Sequence, residues 1–96
     1  MKRRKEERVG DILMRLLRVE GLETPLYEYR AVKAWPEIAG PAIARFTGDV
    51  QLRSGTLYVK ITRPALRQEL LMRRTQLAQR INERVGAQVL QGIVFY

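Results

Sequence analysis

The chain has 96 residues and a net charge of +8, with 14 Arg against 4 Lys, and it contains neither Cys nor His. This length makes one domain; the missing Cys excludes disulfides and thiolate metal sites, and the missing His removes the commonest general base and metal ligand. No apolar run approaches the roughly 18–20 residues that span a bilayer, and the basic start MKRRKEER lacks the apolar stretch of a secretory signal.

Residues 1–5, with Lys2, Arg3, Arg4 and Lys5, read as a flexible basic arm ahead of a single domain over 6–96. Val9, Ile12, Leu13, Leu16 and Leu17 recur at i, i+3, i+4, i+7 and i+8, which predicts an amphipathic helix over about 6–19 that Gly21 stops. Thr24-Pro25 reads as an N-cap and first-turn proline. Leu26, Tyr29, Val32 and Trp35 are then expected on the inner face of a second helix, which Pro36 should end or kink. Gly40 followed by Pro41 predicts a further helical turn to about Arg45.

Asp49–Arg53 and Thr56–Thr62 alternate as two strands of a hairpin turning at Ser54-Gly55. Val50, Leu52, Leu57, Val59 and Ile61 then point inward, and Arg53, Tyr58 and Lys60 outward. Pro64 opens a long helix that Gly86 ends. Leu66, Leu70, Leu77, Ile81 and Val85 share its apolar arc, with Arg74 projecting into the middle of it. That conflict is met either by a kink near Arg74-Thr75 or by a snorkelling Arg74. Gln88–Tyr96 reads as a last strand paired into the sheet. The order is α-α-β-β-α-β: an α+β two-layer fold, with a three-stranded sheet carrying its helices on one face.

An Arg-rich excess of charge points to a polyanionic partner. Nucleic acid comes first, an acidic protein second and an anionic membrane third, because guanidinium suits phosphate and stacks on bases. With no Gly-x-x-x-x-Gly-Lys phosphate loop and only scattered carboxylates, the expectation is a non-enzyme that uses no metal, cofactor or small-molecule substrate and no membrane. The absence of Cys suits a reducing cytoplasm.

Three surfaces stand out. The outward sheet residues Arg53, Tyr58 and Lys60 suit single-stranded nucleic acid, through phosphate contacts and base stacking; they also suit an ordinary solvated sheet face. Arg73, Arg80 and Arg84 fall on one flank of the long helix as a phosphate-tracking ridge, with Glu69–Arg73 as a local pair. The low-charge run AWPEIAGPAIARFT, residues 34–47, holds the only Trp. It reads as a core corner packed by Trp35, Ile38, Ile43 and Phe46 and punctuated by Pro36, Gly40 and Pro41, or else as a docking groove for a partner protein.

Taken together, Trp35-Pro36-Glu37-Ile38-Ala39-Gly40-Pro41-Ala42-Ile43-Ala44, the Ser54-Gly55-Thr56-Leu57 hairpin, Gln68-Glu69-Leu70 and Ile81-Asn82-Glu83-Arg84-Val85-Gly86 resemble the DciA family over about residues 9–95. The resemblance implies a K-homology-like domain that binds DNA and the replicative helicase. It further implies assistance in loading that helicase in bacterial DNA replication, without ATPase activity of its own. Two departures stand beside it. Many members continue into a disordered tail where this chain reads as a short form, and many carry a proline where Thr75 stands here, which implies a straighter helix. The Gly-x-x-Gly loop of K-homology domains is also missing, so their RNA-binding mode is not carried over. An RNA- or ribosome-associated basic protein, or an adaptor for an acidic protein, is the alternative.

Overall fold

The computed structural model describes residues 9–21 and 23–96; the basic arm expected at Lys2–Lys5 lies outside them. In chain order the described residues form α1 (Val9–Glu20), α2 (Glu23–Ala39), α3 (Pro41–Ala44), β1 (Thr47–Arg53), β2 (Thr56–Ile61), α4 (Pro64–Leu71), α5 (Arg74–Val85) and β3 (Gly92–Phe95). The expected α+β order holds, with one long helix divided in two. The sheet runs β1-β2-β3, an antiparallel hairpin with β3 added parallel to β2. Helices cover one face, an arrangement compatible with the K-homology-like expectation.

Strand alternation builds the core. Leu57, Val59 and Ile61 of β2 and Ile93 and Phe95 of β3 are buried, every second residue as a pleated strand requires. Against them pack Leu70 of α4, then Leu77, Ala78, Ile81 and Val85 of α5, and Ala31, Ala34 and Trp35 of α2. Trp35 is wholly buried. Its ring lies 5.6 Å from that of Phe95, and its indole N–H donates to Thr47 Oγ1 at 3.1 Å while that hydroxyl donates to the Ile43 carbonyl at 3.1 Å. One side chain thus ties α2, α3, β1 and β3 together. The core-corner reading of residues 34–47 therefore holds for Trp35, Ile38 and Ile43. Gly40 serves the same corner: its φ of 92° is a backbone state that other residues adopt only under strain.

The hairpin turn uses positive φ at both Ser54 (50°) and Gly55 (81°), the signature of a tight turn matched to strand twist. A Cβ at Gly55 would also come within 3.2 Å of the Gln91 side chain. Asn82, buried on α5, holds the segment before β3. Its Oδ1 accepts the N–H groups of Val89 and Leu90, and its Nδ2 donates to the Leu90 carbonyl. All three are buried or part-buried groups that would otherwise need partners.

Four findings bear on the expectations. First, the amphipathic helix forms as α1, and its described apolar residues Ile12, Leu13 and Leu16 are 40, 48 and 59% exposed. Periodicity reports that a helix is two-faced, not what covers the apolar face. Second, α2 does not end at Trp35 but runs through Pro36 to Ala39, and Tyr29 faces solvent while Ala31 and Ala34 are buried. The buried positions 31, 34 and 35 define an inner arc that excludes position 29. Third, the long helix breaks at Met72 and Arg73. The Met72 and Arg73 N–H groups turn tightly onto the Glu69 and Leu70 carbonyls, and α5 starts afresh at Arg74. An unbroken helix would drive Arg74 into the apolar arc; the break leaves it exposed. Of the two solutions weighed for Arg74, the structure takes the kink, and the straighter helix implied by Thr75 is not formed. Fourth, Phe46 lies outside the core, as described next.

Candidate nucleic-acid interface

The face of the sheet turned away from the helices is built by the alternate residues of each strand. Gln51 stands opposite Tyr58, and Tyr58 opposite Val94. Arg53 pairs with Thr56 at the hairpin end of the same face. The Arg53 guanidinium carbon lies 4.6 Å from the centre of the Tyr58 ring, a cation–π contact that orients both groups. Lys60 follows two residues along β2, exposed, with its methylenes across Gly48, where a Cβ would meet them at 3.4–3.5 Å. Neither Arg53 nor Lys60 is ion-paired with any described residue. The structure therefore brings the three outward sheet residues singled out in the sequence onto one surface, with exposed Val94 and Tyr96 of the β3 end beside them.

Phe46 extends this surface. Its carbonyl accepts both the Thr62 N–H at 2.9 Å and the Thr62 hydroxyl at 3.1 Å, so it stands opposite Thr62, one step beyond the Thr47–Ile61 pair. Thr47 and Ile61 are turned to the core, so alternation carries Phe46 and Thr62 to the open side. The Arg63 and Arg45 guanidinium carbons lie 4.8 and 5.9 Å from the Phe46 ring centre, and Arg67 donates to the Ile61 carbonyl nearby at 3.1 Å. The sequence analysis reads Phe46 as core, and Arg45, Arg63, Val94 and Tyr96 were not among the binding residues singled out there. The available signal was the Arg45-Phe46 neighbourhood at the start of a strand.

The helical ridge does not form as expected. Arg73 sits at the break ahead of α5, with φ −111° and ψ 8°, so it is not in helical phase with Arg80 and Arg84. The local Glu69–Arg73 pair is not made among the described residues. Arg84 instead reaches across to α2 and pairs with Glu37, both groups more than half exposed. This pair borders an open cleft of about 330 Å3, also lined by Tyr29, Arg30 and Lys33. Arg80 and Arg84 thus belong to the helical layer, and Arg53, Tyr58 and Lys60 to the opposite face of the sheet. Trp35 is buried and hydrogen-bonded, so it is a structural residue and not an anchor for a partner. No group of three or more potential metal-ligating side chains occurs among the described residues, and no described helix is long and apolar enough to cross a membrane.

Comparison with known proteins bears on this surface. The family model described as Dna[CI] antecedent, DciA matches residues 8–95. No curated protein matches the chain.

Proposed function

The chain belongs to the DciA family, whose members take part in replicative helicase loading in bacterial DNA replication, and on that premise we propose that it is a non-enzymatic adaptor that grips DNA through the open face of its sheet. The observation that carries this reading is the run of Arg53, Tyr58 and Lys60 on one helix-free surface, with the Arg53 guanidinium stacked 4.6 Å from the Tyr58 ring. Unpaired cations supply phosphate contacts and release counterions. An aromatic–guanidinium stack offers a flat surface to bases whatever their identity. Such a surface binds without reading sequence, which suits a protein that must act wherever a helicase is to be placed. Arg73, Arg80, Arg84 and the arm residues Lys2, Arg3, Arg4 and Lys5 add to the net charge of +8 that attracts a polyanion.

Fluorescence anisotropy of labelled oligodeoxynucleotides across a salt series tests the proposal. Binding is expected to weaken with a log–log slope of roughly −0.7 to −0.9 per phosphate neutralised. An absence of binding at about 50 mM salt, where phosphate contacts are strong, would refute it. The alternative of RNA association is separated by a pull-down from bacterial lysate with and without nuclease. Recovery of the replicative helicase after nuclease treatment supports the adaptor, whereas ribosomal proteins that disappear on treatment support RNA.

A further inference from the structure

The open face carries the same chemical unit twice. At the hairpin end the Arg53 guanidinium lies on Tyr58 at 4.6 Å; at the other end Arg63 lies on Phe46 at 4.8 Å, with Arg45 at 5.9 Å. Tyr58 and Thr62, the residue just past β2 and opposite Phe46, are four residues apart, which is about 13 Å of extended chain. That is several times the 3.4 Å step of stacked bases, so the two units serve different nucleotides. Lys60 lies midway between them on the same face. Arg45 and Arg63 make no ion pair with any described residue. Asp49, the one carboxylate of β1, is exposed at the register irregularity between Thr47 and Val50. The lane thus carries the cations Arg53, Lys60, Arg63 and Arg45 and is aromatic at both ends.

We infer that Phe46, with Arg63 and Arg45, is a second base-stacking position, and that the ligand of the whole lane is single-stranded DNA laid along β2. This inference rests on the reading of the open face as a DNA surface; it adds the strandedness of the DNA and the far contact. The physical reason is that two aromatic–guanidinium units reward exposed base faces. A duplex keeps its bases stacked on one another and shows the lane only its phosphates. A splayed single strand can place a base on each unit and its phosphates on Lys60, Arg45 and Arg63.

The test uses the full chain and anisotropy with four labelled probes at one low salt concentration: oligodeoxythymidine, an abasic strand of the same length, a duplex, and oligouridine. Phe46→Leu keeps the apolar bulk and removes the ring. It is expected to weaken oligodeoxythymidine binding roughly five-fold or more, while the affinity for the abasic strand is unchanged. Arg63→Gln is expected to weaken binding of both single strands and, being a surface change, guards against a folding defect in the Phe46 variant, which circular dichroism reveals. If Tyr58→Leu weakens oligodeoxythymidine binding but Phe46→Leu and Arg63→Gln do not, the second position is wrong and the DNA surface stands. Equal loss of the abasic and base-bearing strands in Phe46→Leu rejects stacking. Duplex bound more tightly than single strand, or oligouridine more tightly than oligodeoxythymidine, rejects the assigned ligand. Failure of the unaltered chain to bind any probe removes the DNA reading itself.

Discussion

The two faces of β2 are written in one short run, Thr56–Ile61, yet they do opposite things. Leu57, Val59 and Ile61 are sealed against three helices. Tyr58 and Lys60, one residue out of step, are half-buried and exposed. On the covered face the energy comes from area removed from water and from close packing, so changes there are paid in stability. On the open face the side chains are half-buried or exposed, so changes there leave the fold intact and alter what the face can hold. The lesson is that charge alone does not mark the binding surface of this chain: arginines occur on both layers, and the open face differs in carrying two arginine–aromatic contacts closer than 5 Å, Arg53 on Tyr58 and Arg63 on Phe46.

The comparison can be broken at several points. The largest effect is expected at Trp35. Trp35→Ala removes a fully buried ring and leaves the Thr47 hydroxyl without its donor, and should cost about 3–5 kcal/mol. That is read as a fall in Tm of at least about 10 °C for a chain of this size. A fall of only a degree or two would mean that α2 is not anchored as described. Tyr58→Leu comes next and should separate the faces most clearly. Thermal stability is expected to change by no more than about 0.5 kcal/mol, while oligodeoxythymidine binding weakens by about 1–3 kcal/mol; anisotropy and a melting curve on the same sample check both. The smallest effect is expected at Arg84→Gln. It breaks an exposed pair with Glu37, worth about 1 kcal/mol at most and less in high salt. Because Arg84 lies on the helical layer, base-bearing and abasic strands should be affected alike. A selective loss of the base-bearing strand would move the stacking surface to the wrong side of the sheet.

Much of the architecture is legible in local pattern. The hairpin follows from alternation around Ser54-Gly55. The inward set Leu57, Val59 and Ile61 follows from period two, and the end of α5 from Gly86, which takes the left-handed conformation with φ 87°. The family follows from a string of residues most of which turn out to be structural. Asn82 is an example: the helix-end motif in which it sits contains the clamp for residues 89 and 90, though nothing in the spacing says that its amide is turned inward. The candidate site is half legible. Arg53, Tyr58 and Lys60 are placed on one face by alternation alone. Phe46 reads as core because it is apolar in an apolar stretch, and it leaves the core only because the register sets it opposite Thr62.

The sequence by itself determined the element types, the hairpin, the inward faces of its two strands and the absence of disulfide, thiolate and imidazole chemistry, because these depend on residue identity and on contacts between near neighbours. Only the tertiary structure decided that β3 joins β2 in parallel, that the helix after Pro64 breaks at Met72–Arg73, that Ile12, Leu13 and Leu16 of α1 are exposed, and that Arg63 lies on Phe46. Each of these is settled by which distant surface is available to pack against. A chain of 96 residues that must bury a wholly apolar strand edge and a single Trp has few ways to do both, and the residues left over on the far side of the sheet form the proposed DNA surface.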